Sequence, residues 1–384
     1  MTEKLYDLDA YLSTFSATVL DCIKAEDGYD VVLDRTAFFP EGGGQYGDQG
    51  TIQGIGVSDT QIRDGIIYHR TKEPLCVGDS VEGSIDWNER FRRMQNHSGE
   101  HVVSGIVHTT FGYDNVGFHL SDGEMTVDYS GEFSAEDLKR LEDCANRVVW
   151  ENHPVHCFYP NEEELKNLQY RSKKELTEAV RIVSIEGVDT CACCAPHVKS
   201  TGEIGGIYVV DALRWKGGTR LTVRCGVDAL EEYRLLRQDE KRLSALFSAP
   251  RGQTFPVGEK LQKDFADLNR KYHLLLKENL LLRLENLPFS EGNLVFLSPS
   301  SEADALRAAA NEGVKKCNGV FVCLAGDDAE GYRYVISARG GLKEKAKEIN
   351  LPLQGRGGGN DTMIQGSFSC TEDKIREFFK EFQL

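Results

Sequence analysis

Residues 228–287 constrain the fold most, because their apolar side chains recur at alternating spacings of four and three. This spacing places an apolar stripe along one face of a helix. A break at residues 250–256, which begins and ends with proline, predicts two helices joined by a Pro/Gly turn. Neither arm exceeds about three heptads, so an intramolecular helical hairpin and a dimerising coiled coil both remain open. The apolar positions are Ala229, Tyr233, Leu236, Leu243, Phe247, Leu261, Phe265, Leu268, Tyr272 and Leu275.

The chain on the N-terminal side of this segment has two patterns. Residues 1–87 hold short β-branched and apolar runs separated by Gly, Asp and Pro turns, which predicts a small antiparallel β-barrel or sandwich. Helical periodicity then runs from Asn88 through Val107, and the sequence Ser-Ala-Glu-Asp at Ser134 is typical of a helix start. We therefore expect residues 88–227 to form an α+β core.

Residues 288–384 follow a third pattern. The order is strand, helix, strand, strand, helix, a Gly-rich loop and a C-terminal helix from Thr371, which is typical of a compact α/β domain. The predicted fold class is therefore α+β. We expect four parts: a β-barrel domain with a Gly-rich motif (1–87), the α+β core (88–227), a helical hairpin or coiled coil (228–287) and the C-terminal α/β domain (288–384).

The charge balance limits the possible partners. A net charge of −16 argues against a non-specific nucleic-acid binder, because phosphate affinity comes mainly from Lys and Arg. A structured anion could still be recognised locally, since residues 337–357 carry five basic and two acidic side chains. The glycine run at 357–359 could approach a phosphate, but a solvated helix beside a flexible loop gives the same pattern. The basic side chains are Arg339, Lys343, Lys345, Lys347 and Arg356.

The sequence also carries expectations about location. No run of about 18 apolar residues occurs, and the N-terminus lacks a charged segment followed by an apolar one. We therefore expect a cytoplasmic protein with neither a membrane-spanning segment nor standard secretion. The 11 cysteines are then expected to be reduced thiols.

The hexapeptide NHSGEH places His97 and His101 four residues apart, on one face of a predicted helix. Their imidazoles could therefore bind one metal ion. The pattern differs from the HExxH of metalloproteases, because Glu100 directly precedes the second histidine. By itself, such a pair is equally consistent with a structural or solvent-exposed role.

The stretch CACCAPH, from Cys191 to His197, offers three thiols and an imidazole in one loop. With the helical histidines it would complete a set of one sulfur and three nitrogens, which suits zinc. All three cysteines are within reach of the same ion, so the sulfur ligand stays open. A redox CxxC pair of Cys191 and Cys194 is the alternative, but it would leave His197 unexplained and no βα unit leads into the motif.

A glycine run is the third feature. TAFFPEGGGQ, from Thr36 to Gln45, contains Gly42, Gly43 and Gly44, whose main-chain N–H groups could face a ligand's phosphates or carbonyl. No Gly-Lys-Ser/Thr follows, so the run is not a Walker loop. Taken alone, it is usually just a turn.

Together, the motifs resemble a known family. TAFFPEGGGQYGDQG, NHSGEH and CCAPHV with STGEIGG have the order and separations found in the editing domain of alanyl-tRNA synthetase and its freestanding AlaX-type relatives. The resemblance covers residues 34–227 and includes GFHLSDGEMTVDY. ISARGGLKEKAKEI and GRGGGNDTMIQGS are similar to the C-terminal domain of the same synthetase, which DHH-type phosphoesterases share. The whole chain thus resembles the long form of AlaX.

The resemblance implies a zinc site and an activity. The motifs correspond to His97, His101, Cys193 and His197 as ligands of one zinc ion per chain. CCAPH departs from the usual Gly-Gly-Thr between cysteine and histidine, so Cys191 or Cys194 could share the ligation. The chain has no room for an aminoacylation core and no Asp-His-His motif, which implies hydrolysis in trans without tRNA charging and a C-terminal domain that binds.

The implied substrate is tRNA(Ala) mischarged with serine or glycine. The Thr36 hydroxyl is expected to read the serine hydroxyl, and Gln45 to orient the ester or the terminal ribose. Gly42, Gly43 and Gly44 are expected to form the wall beside them, and Arg339 and Arg356 to contact tRNA.

Three points stay open. Glu41 and Glu100 are the nearest acidic candidates for a general base, but structural roles suit them better. A homodimer could form through the helical region or the C-terminal domain. The alternative function is a noncatalytic tRNA-binding protein with a structural zinc.

Overall fold

The computed structural model describes residues 2–121, 124–172 and 180–384. Asp122 and Gly123 of the GFHLSDGEMTVDY stretch lie outside the described residues. The chain separates into two compact units, Met1–Arg242 and Leu243–Leu384. The mixed α+β class is confirmed, and the finer division into four parts stays a prediction.

The first unit begins with a β-barrel. Strands β2, β3, β7, β6, β5 and β8 close on each other in that order. Alternating side chains fill the interior, among them Phe15, Val31 and Val81, because successive residues of a strand point to opposite faces. The elements are β1 (Glu3–Lys4), α1 (Leu5–Leu8), β2 (Thr14–Ala25), β3 (Gly28–Leu33), β4 (Arg35–Thr36), β5 (Gly50–Ile52), β6 (Ile55–Arg63), β7 (Ile66–Thr71) and β8 (Ser80–Ile85).

An α+β region follows the barrel in the same unit. Its main sheet has the order β14-β15-β10-β9, a smaller sheet has the order β11-β12-β13, and a buried apolar cluster packs around α2. The elements are α2 (Trp87–Ile106), a π-helical segment (Val107–Phe111), β9 (Asn115–Ser121), β10 (Glu124–Tyr129), α3 (Ala135–Glu151), β11 (Val155–Phe158), α4 (Glu162–Asn167), β12 (Ile182–Ile185), β13 (Asp189–Ala192), a 3-10 helix (Thr201–Ile204), β14 (Ile207–Trp215) and β15 (Gly218–Cys225).

Both helices predicted in this region are confirmed. Helix α2 begins after Asp86, whose carboxylate accepts the backbone N–H groups of Asn88 and Glu89 at 3.1 and 3.2 Å. Helix α3 begins after Ser134, where the serine hydroxyl and the Asp137 carboxylate form a reciprocal capping box.

The two helices predicted at residues 228–287 are also confirmed. They are α5 (Val227–Leu246) and α6 (Thr254–Glu285). Among the described residues, no helix combines the length and the apolar character needed to cross a membrane.

The second unit contains a mixed sheet with the order β16-β17-β18-β20-β19. The predicted order of its first five elements and its last helix is confirmed. The Gly-rich loop prediction is wrong, because the glycines form the edge strand β19, which pairs antiparallel with β20 from Gly355↔Phe368 to Gly359↔Ile364. The elements are β16 (Leu294–Leu297), α7 (Ala303–Gly313), a 3-10 turn (Val314–Lys316), β17 (Phe321–Asp327), β18 (Gly331–Ser337), α8 (Leu342–Asn350), β19 (Gly355–Gly359), β20 (Met363–Phe368) and α9 (Glu372–Glu381).

Candidate metal centre

Helix α2 presents two histidines on one buried face. His97 and His101 are each 2 % exposed, and their ring centroids lie 5.7 Å apart. The spacing of four residues produces this arrangement, because it corresponds to about one helical turn. The sequence prediction that both imidazoles could face one ion therefore agrees with the local geometry.

The loop after β13 brings the other two ligand candidates to the same place. The Sγ atom of Cys193 lies 3.5 Å from Nε2 of His97 and 3.4 Å from Nε2 of His197. The ligand atoms of all four residues lie within 4.8 Å of one another. Tetrahedral zinc with bonds of about 2.1 Å to nitrogen and about 2.3 Å to sulfur has a nitrogen-to-sulfur edge of about 3.5 Å. The cluster thus has the dimensions of a tetrahedral metal site.

The Nδ1 atom of each histidine already has a partner. His97 Nδ1 lies 2.9 Å from the Gln45 side-chain oxygen, and His101 Nδ1 lies 2.8 Å from an Asp189 carboxylate oxygen. These oxygens can only accept, so both Nδ1 atoms carry the proton and both Nε2 lone pairs face the centre. His197 Nδ1 lies 3.0 Å from the Ser98 hydroxyl, which leaves its Nε2 toward Cys193 as well.

Asp189 is itself held in place by Arg171. The arginine donates from Nε and Nη2 to the two carboxylate oxygens at 2.7 and 2.8 Å. Burial opposes ionisation of Asp189, but the hydrogen bonds from His101 and Arg171 outweigh it and keep its pKa below the ordinary value. Sequence reasoning missed both residues. The signal for Asp189 was its place at the start of the strand that leads into the cysteine loop.

Burial sets the protonation of the candidate ligands. It lowers the pKa of His197 well below the ordinary value, which keeps the ring neutral and its lone pair available. It raises the pKa of the Cys193 thiol well above the ordinary value. A thiolate at Cys193 therefore requires a cation beside it, as a metal would provide.

The side chain of Gln45 lies beside the histidines of this cluster, because a backbone turn places it in contact with His97. Its backbone N–H donates to the Gly42 carbonyl at 3.1 Å, and the Gly42 N–H donates to the Gln45 carbonyl at 3.0 Å. The side chain is fully buried, and among the described residues its Nε2 has no hydrogen-bond partner. An amide donor is thus available beside the histidines. Gly43 lies close to the thiol of Cys194.

Thr36 lies in a different environment, beside a histidine that sequence reasoning missed. Thr36 and His69 are both fully buried, and the Thr36 hydroxyl lies 2.8 Å from His69 Nε2. His69 Nδ1 donates to the Val31 carbonyl at 3.0 Å, so Nε2 must accept the hydroxyl proton. The Thr36 oxygen also accepts the Phe38 N–H at 3.1 Å. One acceptor position on this oxygen remains.

The other predicted residues lie away from the cluster or in supporting positions. Glu41 accepts a hydrogen bond from Gln61 at the surface. Glu100 is buried, and one of its oxygens accepts from the Ser104 hydroxyl and the Asn115 amide. Arg339 and Arg356 are exposed in the second unit. The other Glu100 oxygen lies 4.0 Å from His101 Nε2, so Glu100 borders the cluster, whereas Glu41 does not contact it through its hydrogen bond with Gln61.

Two family descriptions match parts of the first unit. Residues 11–89 match the class II (A) tRNA synthetases, and residues 180–222 match the second additional domain of threonyl and alanyl tRNA synthetases. The second match contains Asp189, Cys193 and His197.

Individual relatives extend these matches over longer parts of the chain. The alanyl-tRNA editing protein AlaX-L of Pyrococcus horikoshii is 29% identical over 98% of this chain and 96% of its own length. AlaX-M of Methanosarcina mazei is 39% identical over 56% of this chain and 93% of its own length. The alanine–tRNA ligase of Pyrococcus furiosus is 32% identical over 99% of this chain, which spans only 42% of that ligase. The chain therefore belongs to the AlaX family of alanyl-tRNA editing proteins.

Proposed function

We propose that this protein is a trans-acting deacylase that hydrolyses tRNA(Ala) mischarged with serine or glycine at a zinc-containing site. The observation that carries the proposal is the convergence of three histidine Nε2 atoms and one cysteine sulfur, with the Nδ1 atom of each histidine already occupied. Two AlaX relatives named as editing proteins support the assignment of substrate class.

Zinc is the ion that fits this donor set. One sulfur and three imidazoles suit zinc, whereas Mg²⁺ and Ca²⁺ prefer oxygen ligands. His97, His101, Cys193 and His197 would hold one ion per chain. A bound zinc would act as a Lewis acid toward the ester or a water molecule. The carboxylate of Asp189 and the amide of Gln45 keep two of the imidazoles in the correct tautomer.

Gln45 contributes a second role in this proposal. Its side-chain oxygen is engaged by His97, so its two amide N–H groups remain as donors in a fully buried position. A buried donor without a partner costs about 1 to 3 kcal/mol, which a ligand acceptor would offset. We assign this donor to the substrate ester or the terminal ribose, beside a wall formed by Gly42, Gly43 and Gly44.

The need for such a site follows from the size of the amino acids. A pocket for the alanine methyl group cannot strongly reject serine, which adds only a hydroxyl. A second site that hydrogen-bonds the serine hydroxyl can discriminate by about 10⁴ to 10⁵. We assign recognition of the serine hydroxyl to Thr36. Its oxygen is held by hydrogen bonds with His69 and Phe38 and keeps one acceptor position for a substrate hydroxyl.

One observation favours the alternative function, a noncatalytic tRNA-binding protein with a structural zinc. The cluster supplies four protein ligands, and structural zinc sites are typically closed in this way, whereas catalytic sites keep a position open. A closed site could still act if it expanded to five ligands. Metal content and hydrolysis must therefore be measured together.

The test uses the purified full chain with Ser-tRNA(Ala), Gly-tRNA(Ala) and Ala-tRNA(Ala). We expect one zinc per chain and much faster release of serine than of alanine. Zinc without hydrolysis would establish the noncatalytic alternative, and titratable thiols without zinc would favour the redox pair. Thr36→Val should reduce the preference for serine while zinc remains, and Thr36→Ser, which keeps the hydroxyl, should retain that preference. Equal rates on the three substrates with the wild type would contradict an editing role.

A further inference from the structure

A buried arginine lies behind the cysteine loop. Arg181 is 6 % exposed, and its Nη1 donates to the carbonyl oxygens of Cys193 and Ala195 at 3.1 and 2.8 Å. One nitrogen therefore bridges two carbonyls that are two residues apart. Such a bridge arches the backbone around the guanidinium, with Cys194 between the two contacts.

Further contacts fix the arginine itself. The Cys193 N–H donates to the Arg181 carbonyl at 3.0 Å, so backbone and side chain both hold the same loop. The Arg181 Nε lies 3.6 Å from an Asp7 carboxylate oxygen, and Asp7 also accepts the Tyr159 hydroxyl at 3.0 Å. The buried guanidinium thus has a counter-charge on one side and the loop carbonyls on the other.

The three thiols of this stretch have different neighbours. Cys193 faces His97 and His197. Cys191 is buried and lies within 4.8 Å of ligand atoms of His101 and Asp189. Cys194 is exposed, and its Sγ lies 3.4 Å from the position that a Cβ on Gly43 would take. Sequence spacing alone allows any of the three to reach the ion.

We infer that Arg181 is a positioning residue that selects Cys193, out of three neighbouring thiols, as the sulfur ligand of the metal. This inference rests on the metal site of the proposed function and adds the residue that determines which cysteine sulfur binds the metal. Without the arginine, the carbonyls of Cys193 and Ala195 lose a buried donor. The loop can then shift, and the thiol of Cys191 or Cys194 can replace that of Cys193.

The test substitutes cobalt(II) for zinc in the full chain, because a thiolate ligand gives a sulfur-to-cobalt charge-transfer band. In the wild-type background, Cys193→Ser should abolish this band. In a background with Arg181→Met and Asp7→Asn, which removes the donor without leaving a buried charge, Cys193→Ser should retain a band from another thiol. The same background should lower zinc affinity about 10- to 100-fold in chelator competition, as loss of ligand support does elsewhere.

A matched control is available in Arg90. It is fully buried, donates to the carbonyls of Ala10 and Ala37, and pairs with Asp48. Arg90→Met with Asp48→Asn should disturb the fold to a similar extent, yet Cys193→Ser in that background should give no band. The band reports the sulfur ligand and not hydrolysis, so failure of the deacylase proposal leaves this test intact.

Two results would overturn the inference. One is unchanged zinc affinity in the Arg181 background, and the other is loss of the band with Cys193→Ser in every background. If Arg181→Met does not fold by circular dichroism, Arg181→Lys serves instead. It keeps the charge beside Asp7 and should give a zinc affinity between wild type and the 10- to 100-fold loss. Wild-type affinity in the folded lysine variant would also contradict a role for the two-carbonyl bridge.

Discussion

At the scale of single residues, the candidate metal centre depends on partners that are distant in sequence. Gln45, Ser98 and Asp189 hold the Nδ1 atoms of three histidines across sequence separations of 52, 99 and 88 residues. The acceptors on Gln45 and Asp189 set the tautomers of His97 and His101, and all three contacts set ring orientation before a metal binds, which is how protein surroundings tune metal affinity. Two local motifs supplied the candidate ligands, with Cys193 implied by the family resemblance, but neither motif indicated the residues that support them.

Substitutions at Gln45 should separate its two assigned roles. Gln45→Ala removes the acceptor for His97 Nδ1 and should lower zinc affinity by about 10- to 100-fold. Gln45→Glu keeps an acceptor but lacks the amide donors, so it should retain zinc and lose deacylation of Ser-tRNA(Ala). Chelator competition and a deacylation assay measure the two effects. Wild-type zinc affinity in the alanine variant would show that the hydrogen bond to His97 is dispensable.

His69 should make stability depend on pH. Burial lowers its pKa from 6.5 to about 4, so the unfolded state takes up a proton at higher pH than the folded state. The stabilisation is complete above pH 6.5, falls as the pH drops toward 4, and loses up to about 3 kcal/mol. The His69→Gln variant should be less stable than the wild type at pH 7, because the hydrogen bonds of His69 with Thr36 and Val31 change. Between pH 7 and 4.5 it should lose less stability than the wild type does.

Denaturant titrations followed by tryptophan fluorescence measure this difference in the compact unit that contains His69. All three tryptophans, Trp87, Trp150 and Trp215, lie within Met1–Arg242. The comparison of variant with wild type cancels the contributions of other groups that titrate in the same range. Parallel stability curves for the two proteins from pH 7 to 4.5 would contradict a neutral buried His69.

At the scale of elements, close approach of backbones decides where side chains meet. A Cβ at Gly105 in α2 would lie 2.4 Å from the Val188 carbonyl oxygen. The glycine thus lets the turn between β12 and β13 lie against the helix, and this turn delivers Asp189 to His101. The β19 strand shows the same principle, because its glycines permit packing against neighbours where we expected a phosphate-binding loop.

Two neighbouring glycines of β19 offer a matched pair of substitutions. A Cβ at Gly357 would lie 2.3 Å from the Tyr334 hydroxyl and 2.4 Å from the Gln365 carbonyl oxygen, whereas one at Gly358 meets nothing within 4 Å. Gly357→Ala should therefore destabilise the second unit by about 1 to 3 kcal/mol. Gly358→Ala should change its stability by no more than about 0.5 kcal/mol. Calorimetry of the full chain measures both, and equal effects would contradict the close packing of Gly357.

At the scale of the whole molecule, the two compact units suggest separable roles. The net charge of −16 disfavours tRNA binding by the average surface, so we expect tRNA affinity to come from local basic groups, with Arg339 and Arg356 as candidates. AlaX-M aligns with only 56% of this chain but with 93% of its own length. We therefore keep the prediction that the C-terminal part anchors tRNA while the first unit carries the chemistry.

Cutting the chain after Arg242, at the boundary of the compact units, tests this division. The remaining unit should bind tRNA more weakly and with a smaller salt dependence, because each lost phosphate contact removes about 0.7 to 0.9 from the log–log slope. Zinc content and cleavage at saturating substrate should persist. Filter binding at several salt concentrations measures the slope. Unchanged affinity would assign residues 243–384 to dimerisation instead, which light scattering of the full chain and the truncated chain would detect.

The sequence by itself determined the features that depend on local spacing. The four-residue spacing placed His97 with His101, the stretch CACCAPH supplied His197 and three possible sulfur ligands, and local patterns predicted helices α2, α3, α5 and α6. Only the tertiary structure decided which groups support the histidines, which thiol faces them, and that residues 355–359 pair as a strand. These features depend on contacts between segments that are distant in sequence, so no local pattern encodes them. Glycine has a low strand propensity, which is why residues 355–359 were not predicted to form a strand. Arg181, Asp189 and Gln45 acquire their roles only because the folded chain brings them to the histidines and the cysteine loop.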